Sequence, residues 1–107
     1  MNAMAIDYTD ILAAVKMSLR IITAAFDDEL TDLIDAAMLD LGIAGVTGAN
    51  VSVTDPLVKR AIITYCRCHF GQPDDYDRIK RSYDEQKAQL STATGYTVFL
   101  ETGDNNG

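Results

Sequence analysis

One histidine and two cysteines are all this 107-residue chain has of the side chains that most often bind metals. A closed zinc site needs about four ligands, and Cys66, Cys68 and His69 have no second cluster to complete one. On a helix, cysteines two apart point about 200° from each other. They are not placed to pair and read as reduced, small apolar residues. His69 reads as a partly buried residue at a helix end. Asp27-Asp28-Glu29 and Asp74-Asp75-Asp77 lack the alternation and glycine of a calcium loop. Each precedes a helix, so both groups read as helix caps. Gly42, Gly45 and Gly48 are followed by no Gly-Lys-Ser/Thr and make no phosphate loop. Ser18, Ser52, Ser82 and Ser91 lack the context of a nucleophile elbow. No catalytic, metal-binding or cofactor-binding residue emerges, no cofactor is expected, and an enzyme is not the expected class.

Apolar runs are short as well. None approaches the roughly 18 residues that span a bilayer, so no membrane partner is expected. The start, Met1-Asn2-Ala3-Met4-Ala5-Ile6-Asp7, has no basic region and meets an acid early, so a signal peptide is not expected. Basic residues are scarce in the first half: residues 1–55 hold nine acids but only Lys16 and Arg20 as bases, whereas residues 56–90 hold seven bases and five acids. With a net charge of −7, the chain is poorly suited to gripping phosphates non-specifically. The asymmetry suits contact between an acidic face of one copy and a basic face of another.

Four helices are legible by period, which predicts an all-α fold: a small bundle around a central third helix, in one domain over 1–107, with its core at about 8–92 and an extended or flexible tail from 93. The first helix covers about Tyr8 to Ile21, with Ile11, Leu12, Val15 and Leu19 on one face and Asp7 or Thr9 as cap. The second follows Asp27-Asp28-Glu29, acids favoured where backbone N–H groups lack partners. It carries Leu30, Leu33, Ile34, Ala37, Met38 and Leu41 on one side and Asp28, Asp32 and Asp35 on the other. Gly42 reads as its stop. Residues 42–54 read as a loop.

The third helix starts at Thr54 or Asp55, with Pro56 in its first turn. Val58, Ile62, Tyr65 and His69 form one apolar stripe, and Ile63, Cys66 and Phe70 another. The only clean polar line is Arg60, Thr64 and Arg67. Such a helix is central, with neighbours on both sides. The fourth helix, about Asp75 to Thr92, has a narrow stripe of Tyr76, Ile79, Tyr83 and Leu90 and is otherwise charged. Asp77–Arg81, Lys80–Asp84 and Arg81–Glu85 are spaced for ion pairs. Tyr96-Thr97-Val98-Phe99-Leu100 is rich in strand formers and predicts a short C-terminal strand, which needs an edge to pair with.

Leu19-Arg20-Ile21 followed by Asp27-Asp28-Glu29-Leu30, then Asp55-Pro56-Leu57-Val58-Lys59-Arg60-Ala61-Ile62, then Tyr76-Asp77-Arg78-Ile79-Lys80-Arg81-Ser82-Tyr83-Asp84 together resemble the phage head–tail connector family, also called head-completion or adaptor proteins. The likeness spans about residues 8–90 and rests on the order and spacing of the segments. Cys68-His69-Phe70-Gly71 departs from the aromatic-rich helix end common in that family. The resemblance implies a structural virion protein at the head–tail junction, assembled from the host cytoplasm as a homo-oligomeric ring of about twelve copies. The ring would bind the portal protein and tail or stopper proteins, and extend a channel through which DNA passes without specific binding. On that reading Arg60, Arg67, Arg78, Lys80, Arg81, Tyr96, Val98 and Phe99 are candidate interface residues. Asp28, Asp32 and Asp35 are candidate channel-facing acids. A small helical nucleic-acid-binding regulator is the competing class. Against it, the third helix carries too much apolar surface to lie in a groove of DNA, and the loop before it is long.

Overall fold

The computed structural model describes residues 8–46 and 52–93. They form four α-helices: α1 (Thr9–Leu19), α2 (Asp27–Ile43), α3 (Pro56–His69) and α4 (Tyr76–Thr92), with a short 3₁₀ turn at Ala24–Phe26. The all-α bundle is as expected, and no strand occurs among the described residues. The strand expected at Tyr96–Leu100 lies outside them.

α3 is central and packs against α1, α2 and α4. Its Val58, Ala61, Ile62 and Cys66 are completely buried. Around them close Ile11 and Val15 of α1, Leu30, Ile34, Ala37 and Leu41 of α2, and Tyr83 and Leu90 of α4. Asp55 fixes where α3 begins: its carboxylate accepts from the N–H groups of Leu57 and Val58, both at 3.1 Å, while Pro56 takes the first turn. The cap satisfies two donors that the helix leaves free.

The ends of α1 and α2 are closed by the same device. Ile21 N–H donates to the Lys16 carbonyl at 2.9 Å, and Val46 N–H to the Leu41 carbonyl at 2.9 Å. Each bond reaches back over a residue with left-handed backbone: Arg20 at φ 61° and Gly45 at φ 98°. This six-to-one closure satisfies carbonyls that the last turn leaves open. Gly45 takes it without steric cost, but Arg20 adopts a region that L-residues seldom enter.

Several local expectations need correction. α2 does not stop at Gly42 but runs through Ile43, because the left-handed position falls to Gly45. Gly42 is the last residue but one of α2, with nothing within 4 Å of where a Cβ would sit. Gly42→Ala is therefore expected to stabilise the chain by about 0.5 kcal/mol, part of the helix-interior difference between the two residues, and to raise the melting temperature by about 2–4 °C. A loss of stability in thermal melts would return Gly42 to the role of a left-handed stop. α1 takes Tyr8, not Thr9, as its capping position; Asp7 lies outside the described residues. The acids at the head of α2 do not cap it either: Phe26 occupies that position. Asp27 instead forms an ion pair with Lys16 of α1 at 2.8 Å, tying the two helices across the turn.

Candidate assembly surfaces

The polar line of α3 is real and solvent-facing. Arg60 and Arg67 are exposed, whereas Thr64 between them is buried and donates its hydroxyl to the Arg60 carbonyl at 3.0 Å. That bond lets a hydroxyl sit against the core without an unpaired polar atom. Around the line opens a groove of about 650 Å³, walled by Ser18 of α1 and by Ser82 and Gln86 of α4. Thr54 and Pro56 close one end, and Lys59, Arg60, Ile63 and Arg67 of α3 form the floor. Among the described residues no carboxylate lines it. Among the described residues, Lys59, Arg60 and Arg67 take part in none of the four ion pairs. Lys59 and the α4 wall were not singled out in the sequence. The one local sign was the run Lys59-Arg60 directly after a capped helix start.

The other expected basic residues lie on α4, and two of the three are engaged within their own helix end or face. Arg78 reaches back to Asp75, and Lys80 pairs with Asp84 at 2.8 Å. The Asp77–Arg81 and Arg81–Glu85 pairs do not form, and Arg81 is exposed without an ion pair among the described residues. Exposed pairs such as these contribute about 0.2–1 kcal/mol each, so they shape the surface more than they hold the fold. Tyr96, Val98 and Phe99 lie outside the described residues.

Asp28, Asp32 and Asp35 are exposed along α2 as expected. Asp35 accepts a hydrogen bond from the Tyr8 hydroxyl. Partial burial, followed by this bond and the Asp35 charge, pushes the Tyr8 phenol up to about 12. The acids are only half of the feature. Leu39 and Ile43 continue the stripe at the same helical spacing and are 68% and 79% exposed. Positions 28, 32, 35, 39 and 43 thus form one face, acidic at its start and apolar at its end. The spacing is legible in the sequence, whereas the exposure of Leu39 and Ile43 is set by how α2 packs.

Between the groove and this stripe lies a polar tie. Asp40 of α2 accepts from the Tyr83 hydroxyl at 2.6 Å and from the Lys87 ammonium at 3.0 Å, and that ammonium stands 5.2 Å from the Tyr83 ring centroid. Partial burial works to raise the Asp40 carboxyl, but the hydrogen bonds from Tyr83 and Lys87 and the Lys87 charge outweigh it, and the group lies below its ordinary value. A carboxyl lowered by folding contributes stability above its unfolded value, and that contribution is lost as pH falls through the folded value. The melting temperature of Asp40→Asn is therefore expected to lie below that of the native chain at neutral pH. The gap should narrow from about pH 5 downward; a gap constant across an acid titration would show that the charge of Asp40 contributes nothing.

Cys66 and Cys68 are both free and buried. Burial pushes the Cys66 thiol up to about 12, as befits a packing residue and not a nucleophile. His69 differs from expectation. It is exposed at the end of α3, its ring 4.4 Å from that of Tyr65 and 6.1 Å from that of Tyr76. The helix ends before the His69 side chain reaches the core. No helix of the described residues is long and apolar enough to cross a membrane.

No curated protein and no solved structure matches the chain. The family of phage connector proteins matches over residues 11–97, taking in all of α2, α3 and α4 and most of α1. The chain belongs to the phage connector protein family and has a structural connector role in phage.

Proposed function

We propose that this connector protein acts as a ring subunit between the portal of a DNA-filled head and the tail. The observation that carries the reading is the pairing, on one small subunit, of an uncompensated basic groove with an acidic and apolar stripe on a different helix. A head-to-tail ring needs two different, mutually complementary surfaces on every copy, since each copy is donor to one neighbour and acceptor to the other. The ring would dock on the portal protein, receive tail or stopper proteins on its far side, and let DNA pass without sequence-specific grip. It would join the virion from the host cytoplasm. Arg78, Lys80 and Arg81 are proposed contacts to portal or tail proteins. Tyr96, Val98 and Phe99 are proposed to reach a neighbour or a tail protein.

For Asp28, Asp32 and Asp35 two placements compete: the wall of the DNA channel, where negative charge repels the duplex, and the contact between subunits. Their continuation into exposed Leu39 and Ile43 favours the contact, because a water-filled channel gains nothing from bare leucine and isoleucine. The test is solution mass by light scattering together with negative-stain imaging, on the chain alone and mixed with portal particles. Closed rings in either condition support the reading. A chain that is monomeric in both, or that binds duplex DNA in a strongly salt-dependent way, would favour the small nucleic-acid-binding regulator.

A further inference from the structure

We infer that the groove between α1, α3 and α4 is the seat for α2 of a second copy of this chain, which lays its stripe Asp28, Asp32, Asp35 and Leu39 along Arg67, Ile63, Arg60 and Pro56. The inference rests on the ring reading and deepens it by naming the two surfaces that meet.

The first argument is charge. Among the described residues, Lys59, Arg60 and Arg67 face a common groove that no carboxylate lines, and they have no ion-pair partner. Three cations converging without compensation repel one another, and an incoming row of carboxylates relieves that repulsion while supplying acceptors for their N–H groups. The hydroxyls of Ser18, Thr54 and Ser82 around the rim add donors that suit the same row.

The second argument is register. Arg60 and Arg67 are seven residues apart on α3, and Asp28 and Asp35 seven apart on α2. Each pair therefore spans two turns, about 10.5 Å. Laid antiparallel, Asp28 meets Arg67 and Asp35 meets Arg60. Asp32 then falls over Ile63 and Thr64, near enough to Lys59 for its flexible ammonium to reach. One turn beyond, Leu39 falls on Pro56 and beside Leu57, itself 44% exposed. The parallel orientation satisfies the charges equally and carries Leu39 past Arg67 to the level of Gly71 and Gln72, beside Pro73 and Tyr76. Antiparallel packing is favoured because it opposes the two helix dipoles while seating Leu39 on Pro56 and Leu57.

The α2 helix of the same copy cannot fill this groove. Leu30, Ile34, Ala37 and Leu41, on the opposite side of α2, are fixed in the core, and no residue of α2 lines the groove. The stripe and the groove therefore belong to different contacts, one with each neighbour. The groove volume of about 650 Å³ admits a row of side chains and leaves the docked helix axis outside.

The test uses two charge-reversed forms of the full chain. One is Asp28→Lys with Asp35→Lys, the two acids that the register sets against Arg67 and Arg60. The other is Arg60→Glu with Arg67→Glu. All four positions are exposed, so circular dichroism and melting curves should stay close to those of the native chain. Each form alone is expected to self-associate about 100-fold more weakly than the native chain, by light scattering and sedimentation. Mixed one to one, they should assemble again with the two forms alternating, since each then offers what the other's reversed surface needs. A chain carrying all four changes should also assemble. If both forms assemble like the native chain, the stripe and the groove do not meet, and this inference fails while the ring reading stands. If the native chain stays monomeric alone and with portal particles, both fail. If the Arg60→Glu, Arg67→Glu form instead loses binding to a labelled DNA duplex that the native chain holds at physiological salt, the groove is a polyanion site and the inference is overturned.

Discussion

Tyr83→Ala is expected to destabilise the chain by about 3–5 kcal/mol, the range for removing a large aromatic from a core, and to lower the melting temperature by well over 10 °C. Tyr83 is only 1% exposed, and its ring stands edge-on to that of Tyr65 at 5.2 Å between centroids. It is the largest side chain that α4 commits to the core, and α4 has few others: its buried set is Ile79, Tyr83 and Leu90. Loss of the ring opens a cavity that the narrow stripe cannot refill. Loss of the hydroxyl alone is a smaller matter. Tyr83→Phe keeps the ring and removes one hydrogen bond to Asp40, which keeps Lys87 as a partner and is partly exposed. That change is expected to cost about 1 kcal/mol. Urea melts of the two variants separate packing from polar tie. Equal losses in both would mean that the bond to Asp40, not the ring, holds α4 in place.

Ile62→Ala is expected to be the second severe change, at about 2–5 kcal/mol. Ile62 is completely buried on the helix that the other three surround, so the cavity opens at their common junction. A control on the same helix is Leu57→Ala. Leu57 is 44% exposed, and its truncation should cost well under about 1 kcal/mol in the isolated chain. The urea midpoint should fall for Ile62→Ala with the slope of the transition preserved. A similar loss for both variants would deny α3 its central place.

The helices themselves were legible in the sequence because their signals are local. Asp55 followed by Pro56 marks a start that needs no tertiary information, and the all-round apolar character of α3 already implied neighbours on several sides. What misled was local ambiguity. Gly42 and Gly45 both lie where a stop is plausible, and only the backbone shows which one carries the positive φ. Arg20 gives no hint of its left-handed turn, since nothing in an arginine calls for it. Three ion pairs on α4 had suitable spacing, yet Lys80–Asp84 is the one that forms, and Arg78 chose Asp75. The groove was out of reach for a different reason. Ser18, Lys59, Ser82 and Gln86 are ordinary surface residues in sequence and become a site only when three helices bring them together. Of the candidate residues, Arg60, Arg67, Asp28, Asp32 and Asp35 were readable from spacing. Their apolar and hydroxyl companions were not.

The tie at Asp40 has a consequence for how fast and how faithfully subunits would join. Tyr83 and Lys87, which bind Asp40, directly follow Ser82 and Gln86, which wall the groove. A helix held by so narrow an apolar stripe is free to roll on its neighbour, and rolling would open or shut that wall. Clamped on Asp40 from one flank, α4 holds its other flank at a set distance from α1. The groove is thus formed before anything enters it. Little ordering entropy remains to be lost on docking, and a partner meets a finished shape in place of one that it must induce.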